Sequence, residues 1–141
     1  MGVVEAIHVG AGSRVPMESL GEVQVIADFG LEGDRKAKPG SKRQVLVMPV
    51  EVLEAFDLPA GAVRENITTR GIDVNALTPG TRVRFGAALL EATVSCTPCG
   101  FMDEVKPGLR EALRGQRGML FRVLVGGPVR VGDAVELVEG G

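Results

Sequence analysis

The segment LTPGTRVRFGAALLEA, residues 77 to 92, carries the pattern that decides the fold. A Pro-Gly pair opens it, a short Val-Arg alternation follows, and a glycine separates this run from a second apolar run. Turn residues between two short runs of this kind are typical of a β-hairpin. The segment therefore predicts two strands, near Thr81 to Phe85 and near Ala88 to Ser95.

A second segment, GGPVRVGDAVELV at residues 126 to 138, has the same arrangement of punctuation, Val-Arg strand, glycine and apolar strand. We interpret both segments as hairpin corners of a small sheet that bends on itself. Short apolar bursts bounded by Gly, Pro and Asp predict further strands elsewhere in the chain. These lie near Val3 to Val9, Glu22 to Ala27, Gln44 to Met48, Val63 to Thr68, Leu120 to Val125 and Ala134 to Val138.

Two stretches have the features of short helices. PVEVLEAFDL, residues 49 to 58, begins with a proline, which suits the first turn of a helix. PGLREALRG, residues 107 to 115, repeats that design and places Leu109 and Leu113 four positions apart.

Residues 1 to 141 show no linker and no shift in composition, so we expect one domain. Its fold class is all-β or β-rich, with antiparallel strands forming a small closed or partly open β-barrel that carries two short helices. An open sheet covered by the helices is the competing architecture.

Composition limits the function classes. The chain is 45% hydrophobic and 24% charged, as soluble globular proteins are. No apolar run reaches the length of a membrane span, and Glu5 interrupts the opening segment where a signal peptide would be apolar. We therefore expect a cytoplasmic protein with no membrane partner, whose thiols stay reduced.

Nucleic acid is not an expected partner. The formal net charge is -2, and the chain has no Trp or Tyr to stack on bases. The charges are uneven, however, because DRKAKPGSKRQ at residues 34 to 44 concentrates five cations. This basic segment is either a solvated loop or an anion-binding loop.

The stretch VSCTPCGF, residues 94 to 101, holds the two cysteines of the chain. The period of two puts Cys96 on the face of Leu90 and Ala92, which predicts a small buried side chain. Pro98 should end the strand, because proline cannot donate to a strand ladder. Cys99 would then lie beyond the strand, in a turn.

Several interpretations of the thiols stay open. A thioredoxin-type redox pair needs its first cysteine at a helix N-terminus, whereas the residues after Cys99 are predicted to be a loop. A closed zinc site needs four ligands, and the two cysteines with His8 supply at most three. Both thiols could also be core residues. We favour Cys99 as a reactive or metal-ligating thiol at a pocket mouth.

A thiolate at that mouth would need cations or hydrogen-bond donors nearby. The candidates are the basic segment, the triplet Arg64-Glu65-Asn66, and Arg117. If Glu65 faces the core, it should have a cationic partner. If Arg64 and Asn66 face inward instead, they line a pocket in which a guanidinium suits a phosphate. The period alone leaves both arrangements open.

Taken together and in order, these motifs resemble the MOSC domain family, the module named for the C-terminal part of molybdenum cofactor sulfurase. The resemblance runs nearly end to end. Its motifs are GLEGDRKA at 30 to 37, VLVM at 45 to 48, GAVRENI at 61 to 67, LTPGTRVRFGAALLEAT at 77 to 93, TPC ending at Cys99, and GGPVRVGD at 126 to 133.

The resemblance implies a β-barrel-like fold and puts the family's characteristic cysteine at Cys99. It implies that this thiol carries sulfur as a persulfide for the molybdenum cofactor, or ligates molybdenum in a bound molybdenum-pterin cofactor. Some members resemble reductases of N-hydroxylated compounds that need an electron-transfer partner, so an enzyme is favoured. Any pyridoxal-phosphate chemistry would belong to a separate sulfur donor, a partner of the cysteine desulfurase type.

The hypothesis assigns a cofactor-binding role to the residues around that thiol. They would hold the cofactor phosphate or an oxyanion, with Asp34 orienting one cation and Arg117 as a weaker candidate. The other proposed contacts are Arg35, Lys36, Arg64 and Asn66.

The chain departs from the family pattern at Lys36, where a histidine is expected after GLEGDR. If that histidine is a proton donor or a ligand in relatives, the chemistry of this chain is altered. If it only contacts an anion, Lys36 can replace it.

Two other classes of function remain. One is a non-catalytic barrel that binds an anionic metabolite. The other is a dithiol redox protein that uses Cys96 and Cys99. Cys96 could also resolve a persulfide on Cys99 into a disulfide.

Overall fold

The computed structural model describes residues 2–12 and 15–138. Within these ranges the chain is built mainly from short strands. They are β1 (Gly2–Val9), β2 (Glu18–Leu20), β3 (Glu22–Ile26), β4 (Gly30–Leu31), β5 (Val45–Pro49), β6 (Ile67–Arg70), β7 (Arg82–Phe85), β8 (Ala88–Ser95), β9 (Met119–Val125), β10 (Gly127–Arg130) and β11 (Ala134–Val138).

The helices described in these ranges are all short. They are α1 (Val50–Ala55), α2 (Phe101–Val105), α3 (Leu109–Ala112) and one 3-10 turn (Val74–Ala76).

The main sheet closes on itself. Its strands follow the order β11-β7-β8-β9-β5-β6-β1, and β1 pairs back to β11. This closure makes a seven-stranded barrel, and β2 also pairs with β1. Strands β10, β3 and β4 form a separate small sheet. The predicted β-rich barrel is confirmed in its closed form. One pairing differs from the expected antiparallel pattern, because β5 and β6 run parallel.

Two apolar clusters hold this architecture together. The larger cluster fills the barrel and contains Phe85 and Phe121, fully buried, with ring centroids 5.6 Å apart in an edge-to-face arrangement. Such a pair stabilises the core beyond the area that it buries. The smaller cluster packs the helices against the barrel rim. It consists of Met48, Leu53, Val63, Met102, Leu109 and Leu113.

The two predicted helices form with shorter bounds, as α1 and α3. The loop expected after Cys99 is wrong, because α2 begins at Phe101. This helix is far too short to be stable alone, and burial of Met102 in the smaller cluster supplies its stability.

The predicted strand at Val63 to Thr68 is wrong in its first half. Residues 61–64 form a turn, and the strand β6 begins only at Ile67. Gly61 and Arg64 both have left-handed φ values, of 88° and 62°, which a strand does not contain. The alternation of faces inferred for this segment therefore does not exist.

A β-bulge lies in β8, the strand that leads to the two cysteines. Ala92 pairs with Phe121 but Val94 pairs with Leu120, so Thr93 is an extra residue in β8. The Thr93 hydroxyl lies 2.9 Å from the Leu120 carbonyl oxygen. Beyond the bulge the alternation fails, and Val94 is 40% exposed.

Gly118, just before β9, provides a test of the close packing between this end of β9 and β5. It has φ 105°, and a Cβ there would lie 2.6 Å from the Val47 carbonyl oxygen. Gly132 has a similar φ, 96°, but open space around it. Gly118→Ala should lower the free energy of unfolding by about 2 kcal/mol more than Gly132→Ala, because overpacking adds to the backbone strain. Urea denaturation measures both values, and equal losses would show that this contact is not rigid.

Candidate functional site

A cleft of about 670 Å³ collects both cysteines and most of the predicted cations. Although the chain is net negative, no Asp or Glu in the described ranges lines this cleft. Its basic lining residues are Arg35, Lys36, Arg43, Arg64 and Arg117. The cleft is therefore strongly cationic, which suits an anionic ligand.

The two thiols that line this cleft lie at the two ends of a short connection, Thr97 and Pro98. Cys96 is half-buried at the end of β8, and its amide donates to the Gly118 carbonyl oxygen at 2.9 Å. Cys99 is exposed, and its carbonyl oxygen accepts the amide of Met102 at 3.0 Å, at the start of α2. The prediction that Cys96 is a core residue is wrong, because the bulge at Thr93 ends the alternation on which it rested.

Arg117 is the most buried of these cations. Its side chain lies in a residue that is only 6% exposed, and Nη2 donates to the Val63 carbonyl oxygen at 2.7 Å. Nε and Nη1 have no hydrogen-bond partner among residues 2–12 and 15–138. Unpartnered donors on a buried cation are costly, and an anion in the cleft would satisfy them. The sequence identified Arg117 only as a weaker candidate, because its burial depends on distant packing.

Lys36 is partly buried at the same cleft, with Nζ 3.4 Å from the Arg64 carbonyl oxygen. Burial lowers the pKa of Lys36 below its ordinary 10.5, and the charges of Arg35, Arg64 and Arg117 lower it further. The carboxylate of Asp34 opposes this shift. A bound anion would relieve the same repulsion.

Asp34 lies behind these cations rather than in the cleft. It is 7% exposed and accepts the amide of Gly10 at 2.9 Å and the amide of Lys36 at 3.1 Å. These bonds fix the backbone that carries Lys36. The orienting role expected for Asp34 stays a prediction.

Arg64 lines the cleft, but its guanidinium is already engaged. Nη1 donates to the Val15 carbonyl oxygen at 3.0 Å and Nη2 to the Gly12 carbonyl oxygen at 2.7 Å. The turn that carries Arg64 also supplies the carbonyl groups that accept from Lys36 and Arg117. Arg64 therefore fixes the backbone at Gly12 and Val15, and its turn positions Lys36 and Arg117.

Glu65 is fully buried and holds this turn together. One carboxylate oxygen accepts the amide of Gly61 at 2.7 Å and the hydroxyl of Thr68 at 2.8 Å. The cationic partner expected for a buried Glu65 is not found in the described part of the chain. Neutral donors take that place.

Asn66 does not lie in the cleft. It is fully buried, its Oδ1 accepts the amide of Leu46 at 2.9 Å, and its Nδ2 donates to the His8 carbonyl oxygen at 3.2 Å. The amide thus joins β5 to β1 in the barrel wall. The cofactor contact predicted for Asn66 has no support in this position, because the predicted strand that would have aimed it inward is a turn.

Other cleft residues had weaker signals in the sequence. Arg43 belongs to the basic segment that was noted as a group, whereas Thr97 and Phe101 carry no charge pattern. Their closeness in sequence to the cysteines is the signal from which they could have been predicted. A second cleft, of about 500 Å³ and lined by Glu51 and Asp73 among others, contains neither thiol.

Asn66 and Arg117 should separate stability from anion binding. Asn66→Ala should lower the free energy of unfolding by about 2–4 kcal/mol, because it strands two backbone groups, and should leave sulfate affinity unchanged. Arg117→Met should remove sulfate affinity with little loss of stability, since removal of a buried cation that has no anionic partner in the described ranges offsets the lost bond to the Val63 carbonyl oxygen. Urea denaturation and sulfate titration test both. Loss of sulfate binding in folded Asn66→Ala would contradict the structural role.

Sulfate binding should depend on the protonation of Lys36. The charged form exists below its pKa, which is lowered from 10.5, so affinity should fall as the pH rises through that lowered pKa. Lys36→Gln should bind sulfate weakly and lose this pH dependence. Lys38→Gln, at an exposed position outside the cleft, is the matched control. Calorimetric titration across the alkaline range decides, and an unchanged pH profile in Lys36→Gln would exclude Lys36 as an anion contact.

Comparison with known proteins identifies the fold and the family. Residues 34–136 match the family model described as MOSC domain. The YUAD protein from Bacillus subtilis has a similar structure, with a TM-score of 0.79 and 21% identity, over 97% of this chain and 96% of that chain. YiiM from Geobacillus stearothermophilus has a TM-score of 0.76 and 24% identity, over 99% of this chain and 76% of that chain. YiiM from Escherichia coli has a TM-score of 0.75 and 22% identity, over 100% of this chain and 71% of that chain.

At these identities the solved structures show a shared fold alone. No curated protein sequence matches the chain. In the described residues, no helix has the length and apolar character needed to cross a membrane.

Proposed function

The chain belongs to the MOSC domain family, and from that premise we propose that Cys99 serves the molybdenum cofactor as a sulfur carrier or as a molybdenum ligand. The family has a molybdenum-cofactor-related function. The observation that carries the proposal is the cleft itself, which is lined both by an exposed thiol and by a buried arginine with two donors unpartnered among the described residues.

The residues of the cleft fit a molybdenum-pterin group by their chemistry. A thiolate is a soft ligand of the kind that binds sulfur and softer metal centres. Arg117, Lys36 and Arg35 supply the positive charge that a phosphate or an oxyanion requires. A volume of about 670 Å³ is within the range of small-molecule sites.

The residues around the thiol have distinct tasks in this proposal. Arg117 binds the anion through Nε and Nη1, the two donors that have no partner in residues 2–12 and 15–138. Lys36 adds a cation whose backbone is held by Asp34. Arg64 fixes the loop at Gly12 and Val15 and so shapes the rim. The group, when bound, would supply redox chemistry such as the reduction of an N-hydroxylated compound, with electrons from a partner protein.

The position of Lys36 bears on the family pattern, which has a histidine there. The side chain is partly buried among other cations, and its pKa is lowered by burial first and by repulsion from those cations second. That environment favours an anion contact, which a lysine can make as a histidine does. The substitution is therefore compatible with binding of the group.

Sulfur transfer would use the exposure of Cys99. Its thiolate attacks the outer sulfur of a persulfide on a donor of the cysteine desulfurase type, the donor's S–S bond breaks, and the donor leaves as a thiolate. Pyridoxal phosphate stays with that separate donor. An exposed thiol suits this step, because the donor protein must reach it.

The test compares the wild-type protein with Cys99→Ser, both purified from a host that makes the molybdenum cofactor. We expect molybdenum and pterin, or a persulfide on Cys99, in the wild type and a loss of at least tenfold in the variant, because serine offers no soft ligand. Metal analysis, pterin fluorescence and peptide mass spectrometry measure these contents.

Ser95→Ala is the control, since Ser95 is exposed and lies outside the cleft. It should match the wild type. Absence of metal, pterin and persulfide from all three proteins would contradict the proposal and leave a non-catalytic anion-binding barrel.

A further inference from the structure

We propose that Cys96 is a resolving thiol, which attacks a persulfide on Cys99, releases sulfide and leaves a Cys96–Cys99 disulfide. The inference rests on the proposed sulfur-carrier role of Cys99. It adds an activity, the reductive release of sulfide, that a carrier with one thiol would not have.

The first argument is the position of Cys96. A strand that kept its alternation would bury this side chain in the barrel, but the extra residue Thr93 shifts the register between β8 and β9. As a result Cys96 is half-buried and lines the same cleft as Cys99. A thiol needed only for packing would lie with the core residues, and this one lies outside both apolar clusters.

The second argument is the way the connection between the thiols is anchored. The amide of Cys96 is fixed to the Gly118 carbonyl oxygen at 2.9 Å. The amides of Thr97 and Cys99 find no acceptor among the described residues, and a Cβ at Gly100 would meet nothing within 4 Å. The backbone of Cys96 is thus held in place, whereas the amides of Thr97 and Cys99 do not anchor the segment that carries the second thiol.

The third argument is the charge around the reaction. The leaving group of the resolving step is hydrosulfide, an anion that forms inside the cleft. Arg117 lines the cleft and has two buried donors without a partner among the described residues, and Lys36 adds a second cation. Cations already in place where negative charge develops stabilise that charge without reorganisation.

The chemistry balances. The Cys96 thiolate attacks Sγ of the Cys99 persulfide, the bond between Sγ and the outer sulfur breaks, and hydrosulfide leaves with both electrons of that bond. The Cys96 sulfur is oxidised from the thiolate to the disulfide level, Sγ of Cys99 stays at that level, and the outer sulfur is reduced to sulfide. An external dithiol or two small thiols then reduce the disulfide and are oxidised in its place.

The experiment uses the full chain, reduced and freed of thiol, and glutathione persulfide as the probe under anaerobic conditions. We expect the wild type to release sulfide and to end with a disulfide between Cys96 and Cys99. Cys96→Ser should keep its persulfide on the order of tenfold longer or more, because no neighbouring thiol attacks it. Sulfide assay and intact-mass and peptide mass spectrometry follow the reaction.

Two further variants make the result specific. Ser95→Ala changes an exposed neighbour outside the cleft and should resolve its persulfide as the wild type does. Cys96→Ala guards against a folding defect of the serine variant and should behave like it.

Persulfides of equal lifetime in the wild type and in both Cys96 variants would overturn the resolving role and leave the carrier role of Cys99 intact. Absence of any persulfide on Cys99 in the Cys96 variants would overturn the carrier role and this inference with it.

Discussion

The site depends on a backbone contact that only glycine permits. At Gly118 the chain passes so close to the Val47 carbonyl oxygen that a Cβ would lie 2.6 Å from it. The same residue accepts the amide of Cys96 and donates to the Asn75 side chain at 2.8 Å. Gly118 therefore fixes the backbone of Cys96. It also fixes the backbone next to Arg117, whose guanidinium is buried.

The closed barrel makes an otherwise unfavourable cluster of charges tolerable. Several cations meet at one cleft, and Arg117 keeps two buried donors without partners among the described residues. Such an arrangement lowers stability, and proteins retain it where a ligand uses it. The buried hydrogen bonds of Glu65 and Asn66 hold the turn and the wall behind the cations. Stability and binding are thus assigned to different residues of the chain.

Local pattern predicted those parts of the fold that local interactions determine. The hairpin of β7 and β8 forms within a residue of its predicted bounds, because turn residues and alternation specify it without help from the rest of the chain. The bulge at Thr93 could not be predicted, since it depends on pairing with β9. The turn at Gly61 and Arg64 interrupts an apparent alternation through two left-handed residues, and α2 forms only because the barrel rim receives Met102.

The candidate site followed the same division. The basic segment and the cysteine pair were visible as chemistry, and Cys99, Arg35 and Lys36 do meet in one cleft. The structural role of Asn66 and the half-buried position of Cys96 follow from contacts between distant strands. Family resemblance singled out Cys99, which lines the cleft, and its functional role stays a prediction. The resemblance gave no information about the second thiol.

The central claim is that a cationic cleft directs anions to the thiol of Cys99. The most direct measurement is the ratio of its alkylation rates with iodoacetate, an anion, and iodoacetamide, a neutral reagent of similar size. This ratio isolates the charge of the cleft, because both reagents react with the same thiolate. The account predicts a higher ratio than for a free model thiol, and a fall toward that value in Arg117→Met. A ratio equal to that of the free thiol in the wild-type protein would contradict it.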